Sequence, residues 1–364
     1  MRILQISSAS SFGGGERYLV DLSNALQSRG HELFAVVRPK SPLINHLQVS
    51  SSNIKTFPLR NALDAPSARA LARFVKENKI DVVHAHMARD YSLAAYALRG
   101  NSAARLFVTR HVLFPLSRFH RRTLIRATKV IAVSNAVARQ LLSQQIVPAE
   151  KIVVVPNGIE VERFAHSCRD FDREGFLKQK NLPKHCLLIS SIGELRTLKR
   201  HHDLIKAAAI VVRDFNNAHF VIAGVDTSSS GENLKQLEDL AVELKVKEHI
   251  HFLGWLDDAE LLLCATDVFV SASETESFGL SIVEAMAAST AVVATRTEGA
   301  QEIIEDQVTG VLVPIGDVEG LATSITTLLK DQETRTAMGT RAATVARQKF
   351  SLARMVDDIE KIYL

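Results

Sequence analysis

Short apolar runs recur along this chain, separated by polar turns and by stretches whose apolar positions fall three and four apart. Runs at 2–7, 32–38, 54–58, 82–86, 106–109, 129–133 and 152–155 read as strands, and 17–29, 67–78 and 135–144 read as amphipathic helices. Strands alternating with helices run parallel, joined by right-handed crossovers. The alternation breaks over about 157–183, a mixed polar stretch with Gly158, Gly175 and Pro183. It restarts with strands at 187–192, 219–223, 250–252, 268–271, 291–295 and 310–313. The pattern predicts an α/β chain of two Rossmann-like, doubly wound parallel-sheet domains facing a cleft, 1–165 and 166–364. The final helix can pack back on the first domain. Ligands are expected outside the carboxyl ends of the strands.

The length of 364 residues suits two domains, each large enough to bury a core. A formal net charge of +4 excludes a general polycation, so local charge carries more information than the total. Cys168, Cys186 and Cys264 form a sparse, odd set without C-x-x-C, read as buried thiols in a reducing compartment. The N-terminus turns polar too soon for a signal peptide, and no run reaches the ~18 apolar residues of a membrane span. A cytoplasmic location is the expectation.

Three loops carry candidate chemistry. Phe12-Gly13-Gly14-Gly15-Glu16 lies between a strand and a helix, where glycines admit a ligand close to the backbone and helix N–H groups face an anion. A plain tight turn is the alternative. The segment lacks the Gly-Lys-Ser/Thr of a phosphate-binding P-loop, and Tyr18 stands where a dinucleotide fingerprint needs its last glycine. The second loop runs from Ser273 through Glu276, Ser277, Phe278, Gly279 and Leu280 to Glu284. Its carboxylates suit sugar and ribose hydroxyls, and the amides of Phe278, Gly279 and Leu280 suit a phosphate. Ser281-x-x-Glu284 equally fits a capping box. In the third loop, Gly193 to Arg200, Arg196 and Lys199 could clamp a diphosphate or sit at a solvated helix start.

Glu276-Ser277-Phe278-Gly279-Leu280-x3-Glu284-Ala285-Met286-Ala287 resembles the E-x7-E motif of retaining GT-B glycosyltransferases, family 4. Gly13 to Gly15, Asp81-Val82-Val83-His84-Ala85-His86, Thr109-Arg110-His111, Val133-Ser134, Val155-Pro156-Asn157-Gly158-Ile159 and Gly193…Lys199 extend the likeness along the chain. The resemblance implies an acceptor-side first domain, a nucleotide-sugar donor domain second, and a sugar-transferring enzyme. Its substrates would be a nucleotide-diphosphate sugar and a saccharide or glycolipid acceptor of bacterial surface polysaccharide or lipopolysaccharide synthesis. Glu284 would hold the donor ribose. Glu276, Ser277 and the amides of Phe278, Gly279 and Leu280 would hold sugar and diphosphate. Lys199 would neutralise the leaving group, His111 would meet the transferred sugar, and Gly14 and Gly15 would admit the phosphates. His84 and His86 read as strand-end residues lining the cleft. Glu194 departs from the family, which carries arginine there, and Arg196 is expected to take over that charge. Glu298-Gly299-Ala300 replaces a pair of glycines and is expected to reshape the sugar pocket. No metal and no other cofactor is expected, and Asp170-Phe171-Asp172 reads as a solvated loop. A nucleotide-sugar epimerase and a non-catalytic nucleotide-sugar-binding protein are the rival readings.

No Asp or Glu occurs between Asp90 and Glu150. Arg118, Arg121 and Arg122 stand there beside Phe114 and Phe119, a combination suited to an anionic membrane surface, to an anionic acceptor, or to a solvated basic face. A peripheral contact on the cytoplasmic face of the inner membrane is therefore one expectation. Nucleic acid is not, since no recognition motif accompanies the charge.

Overall fold

A computed structural model describes residues 1–99, 103–228 and 230–364. The chain forms two units, Met1–Gly158 with Leu352–Leu364, and Ile159–Ser351.

The first unit contains β1 (Arg2–Ser7), α1 (Gly14–Ser28), β2 (Glu32–Val37), β3 (Ile54–Thr56), α2 (Ala65–Glu77), β4 (Val82–Ala85), α3 (Ala88–Ala97), β5 (Arg105–Arg110), α4 (Arg121–Leu124), β6 (Lys129–Ala132), α5 (Asn135–Ser143) and β7 (Ile152–Val154). Its sheet is ordered β3-β2-β1-β4-β5-β6-β7, and the strand pairs are parallel. The order reverses between β1 and β4, which places the ligand end of the sheet at the loops after these strands. Tyr18, Leu19, Leu22 and Leu26 of α1 fill one face of the sheet. Met355, Val356, Ile359 and Tyr363, on a C-terminal helix described below, join the same core, their spacing making one apolar stripe.

The second unit contains α6 (Val161–Arg169), α7 (Arg173–Gln179), β8 (Leu187–Ile192), α8 (His201–Asp214), β9 (Ala218–Ala223), α9 (Glu232–Glu243), β10 (Ile250–Gly254), α10 (Ala259–Ala265), β11 (Val268–Ser271), α11 (Leu280–Ala287), β12 (Ala291–Thr295), α12 (Glu298–Ile303), β13 (Val311–Val313), α13 (Val318–Lys330) and α14 (Gln332–Lys349). The last helix, α15 (Leu352–Tyr363), returns to the first unit. The second sheet has the order β10-β9-β8-β11-β12-β13, again parallel.

The first unit ends at Gly158, short of 165, because α6 belongs with α10. Arg163 of α6 donates to Glu260 of α10, and Cys168 and Cys264 of the same two helices are disulfide-bonded with their Cα atoms 5.1 Å apart. This corrects the expectation of three thiols: two helices packed side by side bring together cysteines 96 residues apart. Cys186 alone is a free thiol, and it is buried. Among the described residues no helix is long and apolar enough to cross a membrane.

Candidate active site

In the second domain, the loops after β8 and β11 meet at their carboxyl ends. The amide of Glu274 donates to the Leu198 carbonyl at 2.8 Å, tying loop to loop. Lys199 Nζ donates to Glu276 Oε1 at 2.6 Å, and Ser273 Oγ donates to the same oxygen at 2.7 Å. Thr295, at the end of β12, donates to the Ser273 carbonyl at 2.5 Å. A carboxylate and an ammonium are thus held in fixed positions by three neighbouring strands. The stem of Lys199 lies where a side chain at Gly193 would project: a Cβ there would meet Lys199 Cε at 3.3 Å.

Gly279 is the N-cap of α11 and has φ 116°, a left-handed backbone that favours glycine. The helix opens at Leu280, so its first turn presents N–H groups and a positive dipole end to the loop of Glu276. This removes the capping-box reading of Glu284. Ser281 lies inside the helix, and the third helical position is Ile282. Glu284 sits half-buried, one turn in from the helix start. Gly299 approaches this loop closely. Its amide donates to the Glu276 carbonyl at 3.0 Å, and a Cβ there would lie 2.6 Å from that oxygen and 2.5 Å from the Phe278 carbonyl oxygen. The close contact therefore survives the replacement of the second glycine by Ala300.

Arg196 is placed otherwise than Lys199. Its guanidinium is 57% exposed and pairs with Glu194 Oε2 at 3.2 Å. The residue that departs from the family motif and the residue expected to compensate for it neutralise each other.

In the first domain, Gly13 caps α1, and Glu16 accepts from the Gly13 amide at 3.1 Å, so Gly14 and Gly15 form the first turn. A Cβ at Gly15 would stand 3.6 Å from the ring of His111. His111 follows β5 and belongs to a buried relay. His86 Nε2 lies 2.8 Å from Gln5 Oε1, and His86 Nδ1 lies 3.3 Å from His111 Nε2. With Gln5 Oε1 accepting, the proton of His86 is on Nε2. Its Nδ1 then accepts from His111 Nε2–H, which leaves His111 Nδ1 as a bare acceptor. That nitrogen is buried and has no partner among the described residues. Burial pushes the His111 imidazole down to about 3, the nearby Arg110 adding to the effect, so the ring is neutral at working pH.

His84 is fully buried within β4. Its Nδ1 is 2.6 Å from the Tyr363 hydroxyl and its Nε2 2.7 Å from Thr109 Oγ1. His86 is buried too, at 5% exposure. Both are buried core groups, where strand-end residues lining the cleft were expected. Asp172 accepts from the Gly175 amide at 2.9 Å as the cap of α7, which gives the D-x-D stretch a structural use. Arg118, Arg121 and Arg122 are exposed and make no ion pair among the described residues, and Phe114 and Phe119 beside them are 58% and 52% exposed. Thr295 and Gln5 carried no motif signal. Both reach their partners from strands distant in sequence.

Residues 172–345 match the family model described as glycosyl transferases group 1, and residues 12–163 match glycosyltransferase family 4. The chain is 27% identical to N-acetyl-alpha-D-glucosaminyl L-malate synthase of Bacillus anthracis, over 97% of this chain and 94% of that one. It is 28% identical to the lipopolysaccharide core biosynthesis glycosyltransferase LpsE of Rhizobium meliloti, over 95% and 94%. The structure of Anabaena Alr3699/HepE in complex with UDP-glucose superposes with a TM-score of 0.87 at 23% identity, covering 99% of this chain and 98% of that one. This chain belongs to the family 4 glycosyltransferases and has their GT-B architecture of two parallel-sheet domains. It is a hexosyltransferase-type enzyme acting between a nucleotide-sugar donor and a sugar or glycolipid acceptor.

Proposed function

We propose that this enzyme is a retaining transferase, needs no metal ion or other cofactor, and builds a bacterial surface saccharide or glycolipid from the cytoplasmic side of the membrane. The carrying observation is the Lys199–Glu276–Ser273 cluster at the mouth of α11. Glu284 accepts from the ribose diol of the donor. Ser277 and the amides of Phe278, Gly279 and Leu280 hold the diphosphate against the helix dipole. Lys199 lies at the helix start where negative charge develops as the diphosphate leaves, the work a metal ion does elsewhere. Glu276, fixed by Lys199 and Ser273, positions the sugar. His111 meets the transferred sugar, and Gly14 and Gly15 leave room for phosphate. The bond from C1 to the diphosphate breaks, its electron pair departing with the phosphate, and the acceptor oxygen bonds C1 as its proton passes to the departing diphosphate.

An anionic acceptor is supported by the name of the Bacillus anthracis relative, whose product carries L-malate, and a surface-polymer role by that of LpsE. A peripheral membrane contact through Arg118, Phe119, Arg121 and Arg122 is supported by their exposure and lack of ion pairs among the described residues. The test is a thermal-shift screen of nucleotide sugars on wild type and Glu284→Gln, followed by turnover in excess EDTA. One donor should raise the wild-type midpoint. Glu284→Gln should keep the unliganded midpoint and lose that rise, and EDTA should leave turnover intact. Turnover lost to EDTA and restored by manganese would sink the metal-independent assignment.

A further inference from the structure

The loops after β1, β2 and β3 enclose a recess of about 440 Å³ lined by Ala9, Ser10, Arg38, Pro39, Lys40, Pro58 and Arg60. Three of its lining side chains are cations and none is acidic. The cations come from two neighbouring strand ends: Arg38 and Lys40 follow β2, and Arg60 follows β3. None of the three side chains makes a hydrogen bond or ion pair among the described residues. Asp90 and Asp64 act on Arg38 and Arg60 from outside the recess. Asp90 is buried and spends one oxygen on the Ser8 amide at 2.8 Å, and Asp64 is engaged by Ser67 and by the Arg60 amide. Neither carboxylate lines the space.

Such an arrangement costs energy in the free protein. Like charges held on one concavity repel, and a solvated surface would spread them. The walls are nevertheless stiff. Pro39 and Pro58 fix their own φ angles, and the residues after them, Lys40 and Leu59, sit at φ 61° and 43° without being glycine. Leu59 is fully buried, which anchors that turn. Three unpaired cations carried on proline-bounded turns at the ligand end of a doubly wound sheet suit an oxyanion, with Arg38 half-buried and Lys40 and Arg60 exposed.

We propose that this recess binds the phosphoryl group of the acceptor, with Arg38 and Arg60 as forked donors, Lys40 as a point charge and the Ser10 hydroxyl as a further donor. The assignment to the acceptor rests on the transferase reading above. The anion site itself does not.

The test is binding of inorganic phosphate to the full chain, read by phosphorus NMR line broadening at low ionic strength. Wild type is compared with Arg38→Gln/Lys40→Asn/Arg60→Gln and with Arg118→Gln/Arg121→Gln/Arg122→Gln. Asparagine tolerates the positive φ at position 40, and thermal midpoints check that each variant folds. Phosphate bound elsewhere is common to all three proteins and cancels. The recess variant should bind about tenfold more weakly or worse, the scale expected for losing charge-assisted hydrogen bonds, and the other variant should match wild type. Equal binding by wild type and the recess variant overturns the proposal, as does the absence of saturable binding to wild type. Glucose 6-phosphate and vesicles of phosphatidylglycerol then separate two sources of the same chemistry. Loss of vesicle co-sedimentation in the recess variant assigns a lipid phosphate. Loss of glucose 6-phosphate binding alone assigns a soluble one. The recess variant should keep the thermal shift given by the donor. If no nucleotide sugar shifts even the wild type while the recess variant loses phosphate, the transferase reading fails and the anion site stands.

Discussion

Lys199 and Arg196 lie three residues apart, and the sequence gives them the same apparent task. Their surroundings separate them. Lys199 is drawn onto Glu276, beside the start of α11, whereas Arg196 extends into solvent and is neutralised by Glu194. An exposed pair of that kind adds little, because water screens it. Lys199→Ala should therefore lower kcat by about 10²–10³, the scale of one lost donor to transition-state charge. Arg196→Ala should lower it by less than roughly tenfold, the range left to an exposed, screened charge. Steady-state rates of the two variants decide the matter: equal losses would mean that Arg196 leaves Glu194 for the diphosphate during turnover. Glu276 and Glu284 were legible because a fixed spacing on a loop and helix marks them. Thr295 was not, since its use depends on β12 lying beside β11, which no local spacing encodes. The histidines show the same limit. Their clustering could be read, but whether a ring faces solvent or Tyr363 depends on α15, hundreds of residues away.

At the scale of elements, the start of α11 decides what its carboxylate is for. From sequence, Ser281 and Glu284 could be the ends of a capping box or a binding residue and its neighbour. The positive φ of Gly279 settles the helix start two residues earlier and leaves Glu284 without capping duty. The same loop leans on α12 through Gly299. Gly299→Ala would push a methyl to 2.5–2.6 Å from two carbonyl oxygens that cannot swing aside as a side chain could. It should cost about 1–3 kcal/mol of stability, as overpacking does. It should also weaken donor binding, because the displaced backbone carries Glu276 and Phe278. Denaturation and donor titration together check this. Unchanged values for both would show that the loop is loose there. The glycine was visible in the sequence only as half of an altered pair. The carbonyls it must approach belong to a different loop. The Cys168–Cys264 bond escaped for a similar reason: the register of α6 against α10, not cysteine spacing, brings the sulfurs together.

Over the whole chain, the alternation of apolar runs and amphipathic stretches was enough to read two parallel sheets, because burial on both faces leaves strands almost continuously apolar. What the alternation does not show is how many titratable groups the two sheets bury. Burial holds His84 and His111 near 3 in the first domain, pushes His86 well below the ordinary imidazole value, and holds His201 and His219 near 4 in the second. All are neutral when folded, and in the unfolded chain each takes up a proton near pH 6.5. Between that pH and about 4 the unfolded state therefore binds more protons, and stability must fall as pH falls. Asp90 opposes this. Burial raises its carboxyl to about 6, so the folded state holds its proton from there down to the ordinary aspartate value and gains stability over that window. One aspartate against several histidines leaves the histidines dominant. The thermal midpoint should then drop steeply from pH 6.5 to 4, with net proton uptake on unfolding. Replacing His86 by Asn should make the dependence shallower, while lowering the midpoint at pH 7 through the lost contacts to Gln5 and His111. A midpoint flat across that range would mean that the buried histidines are already charged in the folded protein.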